Sequence, residues 1–441
     1  MRKFWLQSLI ITSFVFFLLW TANQVTDLKI FTDFDAVGKA LGDFELTDIV
    51  FSRIRSDDDI VVDDRIILVN IGNIPRRAIA QQIFRISEYK PRIIGFDGFF
   101  ICRQGLRDSI NCPALLDTLG NLMLSSAIQA APKFVLGTRL LQTKKLGKVD
   151  SNESDSLQYS DPMFNDYAEH GFVTLPTNAD YQEDVKQCRT VWPKFMVKGK
   201  EELAFAVRIA MLYDSVKTKK FLARGIEEEL VNFKRNIEVK QLAINSLKDK
   251  DTNSTNNATQ YYVIDVFDML EGNVLPEVFK DKIVLMGYLG DYVGQPSWDD
   301  KFFTPMNKIV GGRANPDMFG LVIHANIIGM ILDEDYINTI SDTTKYLIAI
   351  MVCLLTVALF IYIDYKLPMW FDAMSFVIQL LEVVFISGFT VFAFVTWNLK
   401  LDLKIAIGIS ALVGPAYDIF KSLQNEFNRR LTKRRERVLK T

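Results

Sequence analysis

Histidine occurs twice in the 441 residues, and His324 sits inside an otherwise apolar run, GLVIHANIIGMIL, from Gly320 to Leu332. If Val322 to Leu332 is helical, His324, Ile328 and Ile331 share one face. The imidazole then either fixes that helix on a sheet through a hydrogen bond or reads a ligand or a proton. Zinc needs several His or Cys ligands, and no second one stands nearby, so no metal site is expected. Asp97 closes the run RIIGFD, and Asp291 lies in GYLGDYVG, Gly287 to Gly294. The spacing G-x-x-G-x-x-x-G lacks the lysine of a phosphate-binding loop. It fits a tight turn at the carboxyl end of a strand, where open α/β sheets place their crevices. Asp97 and Asp291 therefore line that crevice and contact a small polar ligand, or they cap the turns around it.

A second group of polar residues lies in apolar surroundings. Glu382 falls near the middle of the hydrophobic segment Ala373 to Trp397, where a carboxyl group is costly without a partner. Ser410 or Tyr417 in the next apolar segment is within reach of it, and Ala406, Ser410 and Gly414 form a small-residue stripe suited to close helix packing. Glu382 is then either glue within a helix bundle or the contact point for another membrane protein. The acidic run SDDDIVVDD, Ser56 to Asp64, lacks the ligand spacing of a calcium loop and is expected to be a solvated lead-in to a strand.

Of four cysteines, Cys353 lies in an apolar segment, and Cys102, Cys112 and Cys188 belong to the region expected to be exported, where thiols pair. The short loop between Cys102 and Cys112 favours that disulfide, with Cys188 as competing partner. No G-x-S-x-G motif accompanies the two histidines, so an exported enzyme is disfavoured, and no cofactor is expected.

Membrane segments set the frame for these residues. Phe4 to Trp20 carries no charge after Arg2 and Lys3 and has no small-residue cleavage site behind it, which describes an uncleaved anchor. Tyr346 to Ile363, Ala373 to Trp397 and Leu401 to Phe420 are each long enough for about 30 Å of hydrocarbon, although Asp402, Lys404 and Pro415 weaken the third. The tail from Lys421 carries eight Lys and Arg against two Glu, a net +6. By the positive-inside rule it is cytoplasmic, as is the N-terminus after four crossings. The whole chain has net charge −2, so the remainder is mildly acidic, with no basic patch for nucleic acid. Leu423, Phe427 and Leu431 recur every four residues along the tail, an amphipathic extension that lies on anionic lipid, docks a partner or merely anchors the topology.

Between Asn23 and Thr344 short β-rich runs alternate with helical ones. RIILVNIG, RIIGFDGFF, KFVLGTRLL, YYVIDVF and DKIVLMGYLG predict strands. RRAIAQQIFRISEY, PALLDTLGNLMLSSAIQAA, ELAFAVRIAMLY and the charged run ARGIEEELVNFKRNIEVKQLAINSL predict helices. Nearly continuously apolar strands in this succession predict an α/β domain with a mainly parallel sheet flanked by helices.

In order along the chain, DDRIILVNIG, PRIIGFDGFF, HGFVTLPTNAD, DVFDMLEGNVLPEVFKDKIVLMGYLGD, FFTPM and GLVIHANIIGMILDEDYI resemble the successive blocks of the CHASE2 domain. That resemblance implies an extracytoplasmic sensor domain of a bacterial signalling protein, with one membrane helix before the domain and three after it. The expected parts are an anchor at 1–22, the sensor domain at 23–344, three membrane helices at 345–420 and a basic cytoplasmic tail at 421–441, in a bacterial inner membrane with the domain periplasmic. Family members commonly continue into a kinase, cyclase or phosphodiesterase, whereas this sequence stops at Thr441, and about 20 residues cannot bury a core. The resemblance therefore implies a sensor that binds an extracytoplasmic ligand or protein and relays its state to a separate signalling partner, with a homo-oligomer possible. The alternative is a structural or docking subunit of an envelope complex.

Overall fold

The computed structural model describes residues 2–26, 46–55, 62–101, 117–141, 156–177, 187–237, 260–296, 298–307 and 315–438. The chain divides into two compact units, Phe51–Tyr336 and the remainder, Met1–Val50 with Ile337–Thr441.

The first unit is built on a 7-stranded sheet. Its strands are β1 (Ile66–Asn70), β2 (Ile93–Phe96), β3 (Phe134–Leu141), β4 (Ser156–Gln158), β5 (Glu169–Phe172), β6 (Tyr262–Ile264) and β7 (Ile283–Gly287). The order is β6-β1-β7-β2-β3, with β4 and β5 both pairing with β3, and β4 is the antiparallel member. β1, β2 and β7 are buried along their whole length, which is why they read as apolar runs without alternation.

Alternate strand residues divide the core. Ile67, Val69, Ile94, Phe96, Val284 and Met286 pack under helices α1 (Arg76–Glu88), α2 (Thr118–Ala130) and α3 (Val266–Glu271). The other face receives α4 (Phe205–Tyr213) and α5 (Gly320–Asp333). Gly95 on β2 has no room for a Cβ, which would meet Ile209 and Phe205 of α4 at 2.5 and 3.0 Å. From Gly320 to Leu332 every residue of α5 is buried, the condition of a helix apolar all round.

Among the described residues the predicted strands and helices are present, with two corrections. The helix predicted from Glu202 begins at Phe205, because Lys200–Leu203 is a strand. The charged run after Ala223 is not helical where it is described. Glu229–Leu230 is a strand and 231–237 has no regular secondary structure. The cause is Asn326 on α5, whose Oδ1 accepts from the backbone N–H groups of Lys234 and Arg235, both at 3.0 Å, while its Nδ2 donates to the Arg235 carbonyl at 2.8 Å. Tertiary hydrogen bonds take the backbone groups that a helix would have used.

The second unit is helical: α6 (Arg2–Thr26), α7 (Asp342–Lys366), α8 (Phe371–Trp397) and α9 (Lys404–Val438). Three of its helical stretches are long and apolar enough to cross a membrane: Phe4–Thr21, Asp342–Lys366 and Pro368–Trp397. The third C-terminal crossing expected from the sequence is not among them, because Lys404, Asp418 and Lys421 dilute its apolar part. α9 nevertheless runs unbroken for 35 residues through Pro415. Proline lacks the N–H that would bond the Ala411 carbonyl one turn back. Gln379 of α8 supplies the missing donor, its Nε2 reaching the carbonyls of Ala411 at 3.2 Å and Ser410 at 2.9 Å. Gly414 makes the room, since a Cβ there would stand 2.6 Å from Gln379 Oε1.

Gln379→Leu is expected to lower the stability of the helical unit by about 1–3 kcal/mol, the cost of an orphaned carbonyl. Pro415→Ala restores the helical N–H, so the same substitution in that background should cost about 1 kcal/mol less, measured as a double-mutant cycle of thermal unfolding in detergent.

Candidate functional site

The carboxyl ends of β1, β2, β6 and β7 lie along one edge of the sheet, and a single side chain ties three of their loops. Asn70, at the end of β1, donates through Nδ2 to Asp265 Oδ1 and to the Gly290 carbonyl, both at 2.9 Å. Its Oδ1 accepts from the N–H groups of Gly72 and Leu289, also at 2.9 Å. All four hydrogen-bonding positions of the amide are filled. Asp265 extends the network by accepting from Val266 N–H at 2.8 Å and Val293 N–H at 3.1 Å. The glycine turn expected after β7 is present, with Gly290 and Gly294 at φ of 99° and 96°.

Beside this anchored region the connections change face. The chain leaving β1 and β2 goes to the side of α1 and α2, whereas the chain leaving β7, which lies between them, goes to α5 on the opposite side. That is the geometry of a crevice at a topological switch point.

Asp97 follows β2, and His324 sits in the second turn of α5. The structure brings them together, His324 Nε2 lying 4.0 Å from Asp97 Oδ2 with the side chains 2% and 12% exposed. That separation is too long for a hydrogen bond and wide enough for a bridging polar atom. His324 Nδ1 is buried without a partner, and the Phe205 ring meets the imidazole edge-on at 5.2 Å. Burial drives both groups toward their neutral forms. It pushes His324 down to about 4 against a hydrogen bond with the Val173 backbone, and it raises Asp97 well above the usual carboxylate range, with the charge of Asp300 adding to the rise. Proximity therefore does not make an ion pair here, and Nδ1 of His324 is left without a hydrogen bond. Close approach at this point requires Gly287, where a Cβ would meet Leu321 at 2.9 Å and Asp97 at 3.3 Å.

Asp291 occupies the same edge but does not join the pair. Its carboxylate accepts from Gln295 Nε2 at 3.1 Å, and its N–H donates to Gln295 Oε1 at 2.6 Å, so it closes its own turn. Another buried carboxyl went unnoticed in the sequence. Asp317 accepts from the Thr304 N–H at 2.8 Å, the Thr304 hydroxyl at 2.5 Å and Asn307 at 3.3 Å, while burial pushes it up to about 7.

The opposite edge of the sheet carries charge pairs. Asp63, expected in a solvated lead-in, is buried between Arg65, at 2.7 Å, and Arg235, at 3.7 Å, and Arg65 also pairs with Asp333 at 2.8 Å. Arg55 Nη1 donates to Asn232 Oδ1 at 2.6 Å, and Asn232 Nδ2 donates to the Asp335 carbonyl at 3.1 Å. Residues near the two ends of this unit are thus tied through one asparagine.

In the helical unit Glu382 meets Thr356 of α7, with Oε1 2.5 Å from Oγ1. Ser410 of α9 lies close enough to interact with the carboxyl, yet Ser410 Oγ and Glu382 Oε2 complete no hydrogen bond. Tyr417 bonds instead to Asp364 at 3.2 Å, which also pairs with Lys421 at 2.6 Å. Leu423, Phe427 and Leu431 are exposed along α9.

Cys102 and Cys112 lie outside the described residues. Cys188, the competing partner, is a free buried thiol pushed up to about 12 by burial. Among the described residues no group of three or more His, Cys, Asp or Glu is placed to hold a metal.

Asn70→Ala should cost about 3 kcal/mol in thermal unfolding, because it orphans several buried groups at once. The pH dependence isolates His324. Its folded pKa lies below the ordinary 6.5, so the unfolded chain binds the extra proton and stability falls as pH drops from 6.5 toward 4. Asp97 and Asp317, raised in the folded state, lose stability in the opposite direction, as pH rises. Relative to His324→Gln, the wild type is expected to lose up to about 3 kcal/mol across that acid window, and parallel pH profiles would remove the proton-reading role.

No curated protein and no solved structure matches the chain. The CHASE2 domain family matches over residues 13–360, well over half of the sequence, including Asp97 and His324 and part of the helix on either side of the α/β unit in the chain. The chain belongs to the CHASE2 domain family of sensor domains.

Proposed function

We propose that this protein is a membrane-anchored sensor whose α/β unit takes a small polar ligand between Asp97 and His324 and passes its state along the chain to a separate cytoplasmic partner. The observation that carries the reading is this close pair with its one unbonded nitrogen, Nδ1 of His324. Two buried polar groups 4.0 Å apart, one with an orphaned nitrogen, are costly to keep without something to bond them. A ligand that donates to Asp97 and engages His324 removes that cost. Because binding energy counts only if it differs between two states, α5 is the element to carry the difference. It begins at the crevice, spans about 21 Å as a fully buried helix and ends where the charge pairs of the opposite edge gather.

In this reading the chain crosses an inner membrane four times, with α9 as the weakest span and its net +6 tail in the cytoplasm. The α/β unit is periplasmic, and no catalytic step is assigned to the chain. A docking subunit of an envelope complex is the second reading. It is favoured by Leu119 and Leu122, exposed on α2 beside the exposed Met163 and Tyr167.

The experiment is mass spectrometry of the full-length protein gently extracted from its native membrane, for both proteins and small molecules. A small polar molecule retained by the wild type and lost from Asp97→Asn, together with a cytoplasmic regulator, is the expected result. Envelope components, with no small molecule sensitive to Asp97, would overturn it in favour of docking.

A further inference from the structure

The helical unit holds a group that the sensor reading does not use. Thr356 Oγ1 lies 2.9 Å from the Val352 carbonyl and 2.5 Å from Glu382 Oε1. A threonine hydroxyl has one hydrogen, so it cannot donate to both. The carbonyl can only accept. If the hydroxyl donates to Val352, the short contact must be donated from the other side, and only a protonated Glu382 has a hydrogen to give.

The surroundings point the same way. Among the described residues no Lys or Arg interacts with Glu382; its partners are the hydroxyls of Thr356 and Ser410. The charged residues at the far end of these helices, Asp364 and Lys421, satisfy each other at 2.6 Å. The titratable group that faces Glu382 from α7 is the Cys353 thiol, which lies beside Thr12 of α6, and α9 presents Ser410. Glu382 Oε2, Ser410 Oγ and Thr12 Oγ1 are all buried without a hydrogen bond of their own. An ionised carboxylate without a cation in such a place is costly, whereas a neutral acid completes the set.

We propose that the helical unit binds one proton at Glu382 as a structural ligand, closing a chain of donors that runs from Ser410 to Glu382 to Thr356 to the Val352 carbonyl and joins α9, α8 and α7. The acid hydrogen sits on Oε1 and is donated to Thr356, whose own hydrogen goes to Val352. Oε2 then has carbonyl character and accepts from Ser410. Loss of the proton reverses the middle link and leaves the Val352 bond open, so occupancy of this one position decides how the three helices are held.

The test is infrared spectroscopy of full-length protein in nanodiscs at neutral pH, comparing wild type with Glu382→Gln, alongside thermal unfolding. A carboxylic-acid C=O band in the wild type that disappears in Glu382→Gln is expected, and Thr356→Val should move that band to higher frequency without removing it. Glutamine offers an N–H to Thr356 and a carbonyl to Ser410, so its unfolding midpoint should stay near that of wild type, whereas Glu382→Leu should lower it. A wild type without the band, or a glutamine variant that falls as far as the leucine one, overturns the proposal. A band abolished by adding sodium also overturns it, by showing that the oxygens hold a cation instead.

Discussion

The amide of Asn70 holds the working edge of the α/β unit in place. An asparagine buried at the end of a central strand is tolerable only when its two donors and its acceptor oxygen are all used. Here they reach the loop after β1, the start of α3 after β6 and the glycine turn after β7. Those loops cannot move independently while the amide stays bonded. Next to this rigid part sits the Asp97 and His324 pair, where the accounting is left open. The contrast between a closed network and an open one, two strands apart on the same edge, is what gives the crevice its character.

The helical unit obeys the same accounting with fewer means, because its apolar core offers a stray polar group few partners. Pro415 removes one hydrogen, and Gln379 returns it from a neighbouring helix through the gap left by Gly414. Helix packing is thereby made specific: α8 and α9 fit in one register, the one that puts Gln379 opposite Ala411. Three helices, α7, α8 and α9, then meet at Thr356, Glu382 and Ser410.

The sheet was legible because β1, β2 and β7 are buried on both sides and spell this out as unbroken apolar runs. Their spatial order was not, since placing β7 between β1 and β2 depends on contacts far apart in the chain. Asp97 and His324 were legible as oddities of type, a charge at a strand end and an imidazole in an apolar helix. Asp291 carried the same signal and proved to serve its own turn, because a nearby Gln295 was available to it. Asn70, Asn326 and Gln379 gave no signal beyond being amides in apolar company, and that was the signal to follow: a neutral polar side chain in such a place has to be bonding something. The helix expected after Ala223 failed for the same reason, Asn326 having claimed its backbone.

Arg55, Asn232 and Asp335 bring the two ends of the α/β unit to one spot, with the chain entering and leaving within a single hydrogen-bonded group. A folding unit with adjacent ends can be spliced into a host chain at one point without pulling the host apart. Such a unit is portable: what lies on either side of the splice can change while the interior stays the same. The tie also keeps the two strands of the splice from being drawn apart, so a force applied along one of them is felt by the other as well as by the sheet between.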